Sequence, residues 1–168
     1  MNKYLETFNN DTRQGIFFGI NSGVLTTVGV IAGISQTTTN PMFVVVSVLS
    51  LAISDCVGEA YGMYLSKKAE KITDNNLGPI VAMVSMFIAK FLTVICFLIP
   101  LFFAWNLKFY KNLLWPVAYS VVMLSIIDTK LSKMRGEDVK KYLINHAILL
   151  AIVVLSTRFI GQILSKLN

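Results

Sequence analysis

Hydrophobic and polar positions along the chain separate into five long apolar runs joined by short polar stretches. The runs cover 15–35, 41–66, 79–104, 113–131 and 142–164, each close to the ~20 residues that an α-helix needs to cross a bilayer. The pattern predicts an all-α, polytopic membrane protein with five transmembrane helices. Residues 1–14 read as a polar N-terminal tail and residues 15–168 as a single five-helix transmembrane domain. The connections are too short for a soluble catalytic or regulatory domain, which leaves one compact bundle as the expected architecture.

Composition agrees: 55% of the 168 residues are hydrophobic and 14% charged, too apolar for a soluble domain of this size. The net charge of +6 does not point to nucleic acid, because its distribution follows membrane topology. Ten basic residues (Lys3, Arg13, Lys67, Lys68, Lys71, Lys130, Lys133, Arg135, Lys140 and Lys141) fall on one side of the predicted spans, and Lys108, Lys111 and Lys166 on the other. The positive-inside rule then puts the N-terminus in the cytoplasm and, with an odd number of spans, the C-terminus on the far side of a plasma or organelle membrane. The tail reads as a surface segment in which Tyr4, Leu5 and Phe8 dip into the interface as a short amphipathic helix, not as a cleaved signal. Cys56 and Cys96 have no disulfide-type spacing and read as packing residues.

Punctuation within the runs is informative. Gly15, Gly19, Gly23, Gly29 and Gly33 in the first and Gly58 and Gly62 in the second give GxxxG-like steps, so the first two helices are expected at the tight centre, against each other or across a dimer axis. Ordinary membrane-helix packing would explain the same glycines. Asn21-Ser22-Gly23 is a polar interruption that breaks the helix or lines a cavity. Asn40-Pro41 opens the second helix, which is expected to run on through Lys67–Ile72 to a turn at Asp74-Asn75-Asn76. Pro100 bends or ends the third span toward an aromatic belt of Trp105, Phe109, Tyr110 and Trp115, read as membrane anchorage. Asp128 and His146 both fall close to the cytoplasmic face, where His146 reads as an interfacial hydrogen-bonder, and Arg158 reads as a snorkelling side chain.

The candidate chemistry lies in 54–71, SDCVGEAYGMYLSKKAEK. Asp55, Glu59 and Met63 stand at i, i+4 and i+8, about 40° apart around a helix, so two carboxylates and a thioether share one stripe. A carboxylate within a bilayer costs several kcal/mol unless paired, hydrated or protonated, which marks the stripe either as a functional site or as a structural acid pair satisfied by a neighbouring cation. Lys90, eleven residues into the third run, falls at about the depth of Asp55, fourteen residues into the second, so it is placed to pair with Asp55 or Glu59 or to snorkel along its own helix.

The same stretch resembles the second helix of the vacuolar iron transporter family, which includes the nodulin-21-like proteins and typically reads ADAISMGFGEYLSSKAEK there. NSGVLTTVGVIAG of the first run is similar to the family's NDGLLTTFALVAG. The five-span order with basic inner loops is also similar, while the stretch spanning the last two helices matches more weakly. The resemblance implies a homodimer with an ion path between the first two helices of each subunit. Departures from the family pattern are specific. Ser22 replaces the family acid of the first helix, Glu59 and Met63 exchange the family's Met and Glu, and the cytoplasmic metal-binding insert between the second and third spans is missing. Asp11 falls where members often carry a Glu at the cytoplasmic mouth.

Together these features predict transport of divalent transition-metal cations, Fe²⁺ or Mn²⁺, out of the cytoplasm. The expected ligands are Asp55, Glu59 and Met63 with Ser22 and Asn21, and Asp11 at the entrance. Oxygen and thioether donors suit such borderline ions. A shielded, empty carboxyl site favours the neutral form, so metal entry would release protons. The metal is substrate, no cofactor is expected, and the implied partners are metal ions, protons, the lipid bilayer and a second copy of the chain. The competing expectation is a non-transporting membrane assembly protein of the same fold, in which Asp55, Glu59 and Lys90 form a structural network. No nucleophile–base pair, HExxH or phosphate loop suggests an enzyme.

Overall fold

The computed structural model describes residues 3–38, 40–70, 77–106 and 114–166, and every regular element among them is helical. The helices are α1 (Lys3–Thr37), α2 (Pro41–Ala69), α3 (Leu77–Cys96), α4 (Leu98–Asn106), α5 (Leu114–Arg135) and α6 (Val139–Leu164). Five segments are long and apolar enough to cross a membrane, with α3 and most of α4 counting as one, Leu77–Phe103. The expected turn at Asp74-Asn75-Asn76, the residues Lys71, Lys108, Phe109, Tyr110 and Lys111, and the side chains of Tyr4, Leu5, Phe8 and Trp105 lie outside what is described.

The element boundaries follow from local chemistry. Asn40 caps α2 by accepting the Met42 N–H at 2.9 Å, with Pro41 at the first helical position where its missing N–H costs nothing. Asp138 caps α6 through the Lys140 N–H at 2.9 Å. Between α5 and α6, Gly136 takes φ 67°, and the Glu137 N–H returns to the Ser132 carbonyl at 3.1 Å. A residue with a Cβ resists that left-handed conformation. Lys67, Lys68, Lys133 and Arg135 fall in the last turns of α2 and α5, where cations suit the helix dipole.

Two expectations about the outline need correcting. The tail is not a separate surface helix: α1 is continuous over 35 residues, about 52 Å, so its first turns extend beyond a hydrocarbon layer of about 30 Å. Nothing between Lys3 and Gly15 breaks a helix, and Asp11, only 7% exposed, ties this extension to α2. The third span breaks at Phe97, three residues before Pro100, because proline supplies no N–H for the carbonyl four residues back. Around the break, the Phe97 N–H reaches the Val94 carbonyl at 3.2 Å.

α1 forms the spine, but its closest neighbour is α3 rather than α2. A Cβ on Gly15 would strike the Ala82 carbonyl oxygen, and one on Gly19 would lie 2.5 Å from the Met86 carbonyl oxygen and 3.0 Å from the Lys90 nitrogen. Gly29 and Gly33 instead face Val153 and Thr157 of α6, where Gly161 meets the Gly33 backbone. Gly58 and Gly62 meet nothing within 4 Å and lie on an open face of α2. The main core joins Val24 and Ile31 of α1, Val44 and Val48 of α2, and Phe97 and Leu101 at the α3–α4 break. Outward positions such as Phe43, Ile53, Phe103, Leu155 and Phe159 are apolar and exposed, as suits a helix long and apolar enough to cross a membrane.

Candidate functional site

Where α1, α2 and α3 converge, their polar residues meet in one cluster. The glycines of α1 let α3 approach closely, which brings Lys90 of α3 to the level of Ser22. Asp55 and Glu59, one helical turn apart on α2, present their carboxylates to it. The Lys90 Nζ forms an ion pair with Asp55 Oδ2 and another with Glu59 Oε2 at 2.8 Å, and donates to Ser22 Oγ at 3.0 Å. Ser22 Oγ in turn donates to Glu59 Oε2 at 2.6 Å. The lysine side chain is fully buried, whereas those of Asp55 and Glu59 are 28% and 29% exposed.

The electrostatics follow from this count of groups. The Lys90 ammonium lies against three oxygens: it donates to Ser22 Oγ and forms ion pairs with the two carboxylates, although Asp55 Oδ2 is buried without hydrogen-bond geometry. One ammonium between two carboxylates leaves one formal negative charge. Each carboxylate uses a single oxygen, leaving Asp55 Oδ1 and Glu59 Oε1 without a hydrogen bond among the described residues.

The other predicted site residues are distributed differently. Met63 is buried one turn beyond Glu59 and packs with Ala60, Ala82 and Met86, so it joins an apolar cluster instead of the carboxylates. Asn21 makes no hydrogen bond to the cluster, and its buried Oδ1 is unbonded. Asp11 lies eleven residues before Ser22 on α1 and pairs with Lys67 at 3.0 Å, while Lys67 also reaches Glu70 at 3.3 Å. Gly78 keeps the α3 end open to Asp11, whose Oδ2 would lie 2.6 Å from a Cβ there. This end is basic on α2 and α5 and gathers the start of α1, the end of α2 and the start of α3. Of the six predicted residues, Asp55, Glu59 and Ser22 therefore come together, and Lys90 sits where a metal ion was expected. Among the described residues no group of three or more His, Cys, Asp or Glu side chains is placed to hold a metal ion.

A second polar pair links α5 and α6. Asp128, fully buried, meets His146 Nδ1 through Oδ1 at 2.6 Å, and its Oδ2 is buried without a hydrogen bond. Sequence spacing carries a signal for this pair, since Asp128 precedes the Gly136 turn by eight residues and His146 follows it by ten, which sets them at similar depth on antiparallel helices. The Asp11–Lys67 bridge escaped the sequence pattern because the tail carrying Asp11 was not expected to continue α1. Arg158 is exposed near the end of α6, consistent with snorkelling.

Asp55 also borders an apolar cleft of about 600 Å³. Its floor is α1 from Leu25 to Thr37, and its walls are Leu51 and Asp55 of α2 and the last turns of α6. α2 and α6 flank α1 without touching each other among the described residues, which leaves the cleft between them.

Comparison with protein-family models, with curated proteins and with solved structures found no match.

Proposed function

We propose that this chain moves divalent transition-metal cations across a membrane in exchange for protons, with Asp55 and Glu59 as the ion-binding carboxylates. Lys90 is then a tethered cation that holds the site closed when no metal is bound. One observation carries the proposal: a single buried ammonium is clamped between two carboxylates that each keep an oxygen free. A divalent ion between those carboxylates balances their charge only if Lys90 is neutral, so metal entry expels the lysine proton. Ser22 Oγ, already on both Lys90 and Glu59, passes from one partner to the other as the lysine changes state. Fe²⁺ and Mn²⁺ are the substrates of choice because oxygen donors suit them and because the first two helices resemble those of iron transporters.

The remaining parts of the proposal rest on sequence. The basic end faces the cytoplasm by the positive-inside rule, transport runs outward, and the membrane is a plasma or organelle membrane. The protein works as a homodimer, for which Gly58 and Gly62 on the open face of α2 provide a close-approach surface. Asp11, held by Lys67, stands at the inner mouth.

The contacts of the buried Lys90 ammonium to both neighbouring helices favour a second role, a structural lock joining α1, α2 and α3 in a non-transporting assembly protein. Both roles require Lys90 at the cluster, so metal flux separates them. Purified protein in liposomes is expected to carry Fe²⁺ and Mn²⁺, and Glu59→Gln, which keeps the Lys90–Asp55 pair, is expected to reduce the rate at least about tenfold. Absence of flux from native protein that is folded and correctly inserted would favour the lock.

A further inference from the structure

We propose that the cleft between α1, α2 and α6 binds a lipophilic organic monocation, with the apolar body in the cleft and the positive charge against Asp55. This site goes beyond metal exchange and does not depend on it. At about 600 Å³ the cleft falls within the range of small-molecule sites.

The lining defines the ligand. Gly29 and Gly33 keep the floor low, and Leu51, Val153 and Ile160 supply apolar walls. Three threonines border the cleft, but each hydroxyl is already committed to its own helix: Thr26 to the Ser22 carbonyl at 2.8 Å, Thr37 to Ile34 at 3.0 Å, and Thr157 to Val153 at 2.7 Å. The one side chain lining the cleft with an uncommitted polar atom is Asp55, whose Oδ2 is held by Lys90 and whose Oδ1 makes no hydrogen bond among the described residues.

Charge completes the selection. The Asp55–Glu59–Lys90 cluster carries one formal negative charge in excess, and the cleft contains no cation to offset it. A compact metal ion finds no second carboxylate along this wall, an anion is repelled, and an acyl chain fills the groove without meeting the charge. A single positive charge on an apolar body satisfies both the carboxylate and the walls. Such a molecule partitions into lipid, and α2 and α6 leave a gap between them beside α1.

The test measures binding of radiolabelled tetraphenylphosphonium to the full chain in nanodiscs of uncharged phosphatidylcholine, with tetraphenylborate as the anion of matching shape. Saturable tetraphenylphosphonium binding is expected, with tetraphenylborate failing to compete. Asp55→Asn is expected to weaken it more than about tenfold, as is typical for loss of a partly buried charge partner. Leu51→Trp, which fills the cleft and leaves the charge cluster in place, is also expected to weaken it. Equal binding of the borate would show an acyl-chain slot and overturn the proposal. So would affinity unchanged in both variants. Absence of saturable binding to native protein, with Thr157→Cys crosslinking between copies, would show the cleft covered by a second chain and would equally overturn it.

Discussion

Lys90 decides what the central cluster can do. Removing a single member of a buried ion network leaves uncompensated charge and costs about 3–5 kcal/mol, more than the intact network contributes over an apolar substitute. Lys90→Met is therefore expected to lower the melting temperature in detergent by roughly 6–20 °C. The neutral triple variant Asp55→Asn/Glu59→Gln/Lys90→Met is expected to recover most of that loss. A Lys90→Met protein as stable as the native chain would show that the lysine is not held as described. At this scale the sequence was partly legible. Counting residues from the run boundaries put Lys90 and Asp55 at one depth, and they do meet. That Met63 would turn into apolar packing while Ser22 bridged Lys90 and Glu59 was not legible, because a helical stripe spans about 40° per step and the neighbouring helix selects which part of it is used.

Helix packing depends on where the α1 glycines point. Gly15, Gly19 and Gly23 face α3, but the six residues from Gly23 to Gly29 rotate the glycine face by about 240°, toward α6. That change of face is present in the sequence and implies two neighbours for α1, although spacing alone does not name them. Of the two expected placements, packing of the α1 and α2 glycines on one another within the protomer does not occur for this reason. Gly19→Ala is expected to destabilise the protomer by about 1–3 kcal/mol, because the added methyl meets backbone atoms of Met86 and Lys90 that cannot rotate away. Gly58→Ala meets no neighbour within the protomer and is expected to be neutral or stabilising by up to about 1 kcal/mol in monomeric detergent solution. Thermal unfolding of the two variants side by side checks both outcomes, and equal destabilisation would contradict the packing assigned to α1. The break at Phe97 was legible as an effect of Pro100, displaced by the reach of one helical hydrogen bond.

For the whole molecule, the five long apolar runs were enough to give five helices long and apolar enough to cross a membrane, because length and hydropathy are properties of local sequence. Orientation is an independent expectation from the basic residues. In a cysteine-free background, Thr38→Cys is expected to react with an impermeant maleimide on intact cells, and Glu137→Cys only after permeabilisation. The reverse pattern would invert the direction of transport.

The proposed exchange of metal and proton takes place at the Asp55–Glu59–Lys90 cluster. The most direct measurement records Mn²⁺ entry and internal pH together in proteoliposomes containing the native protein or Glu59→Gln. Mn²⁺ movement is expected to be coupled to counterflow of at least one proton per ion, with both fluxes falling together in the variant. Metal flux indifferent to protons, or no metal flux from folded and inserted protein, would contradict it.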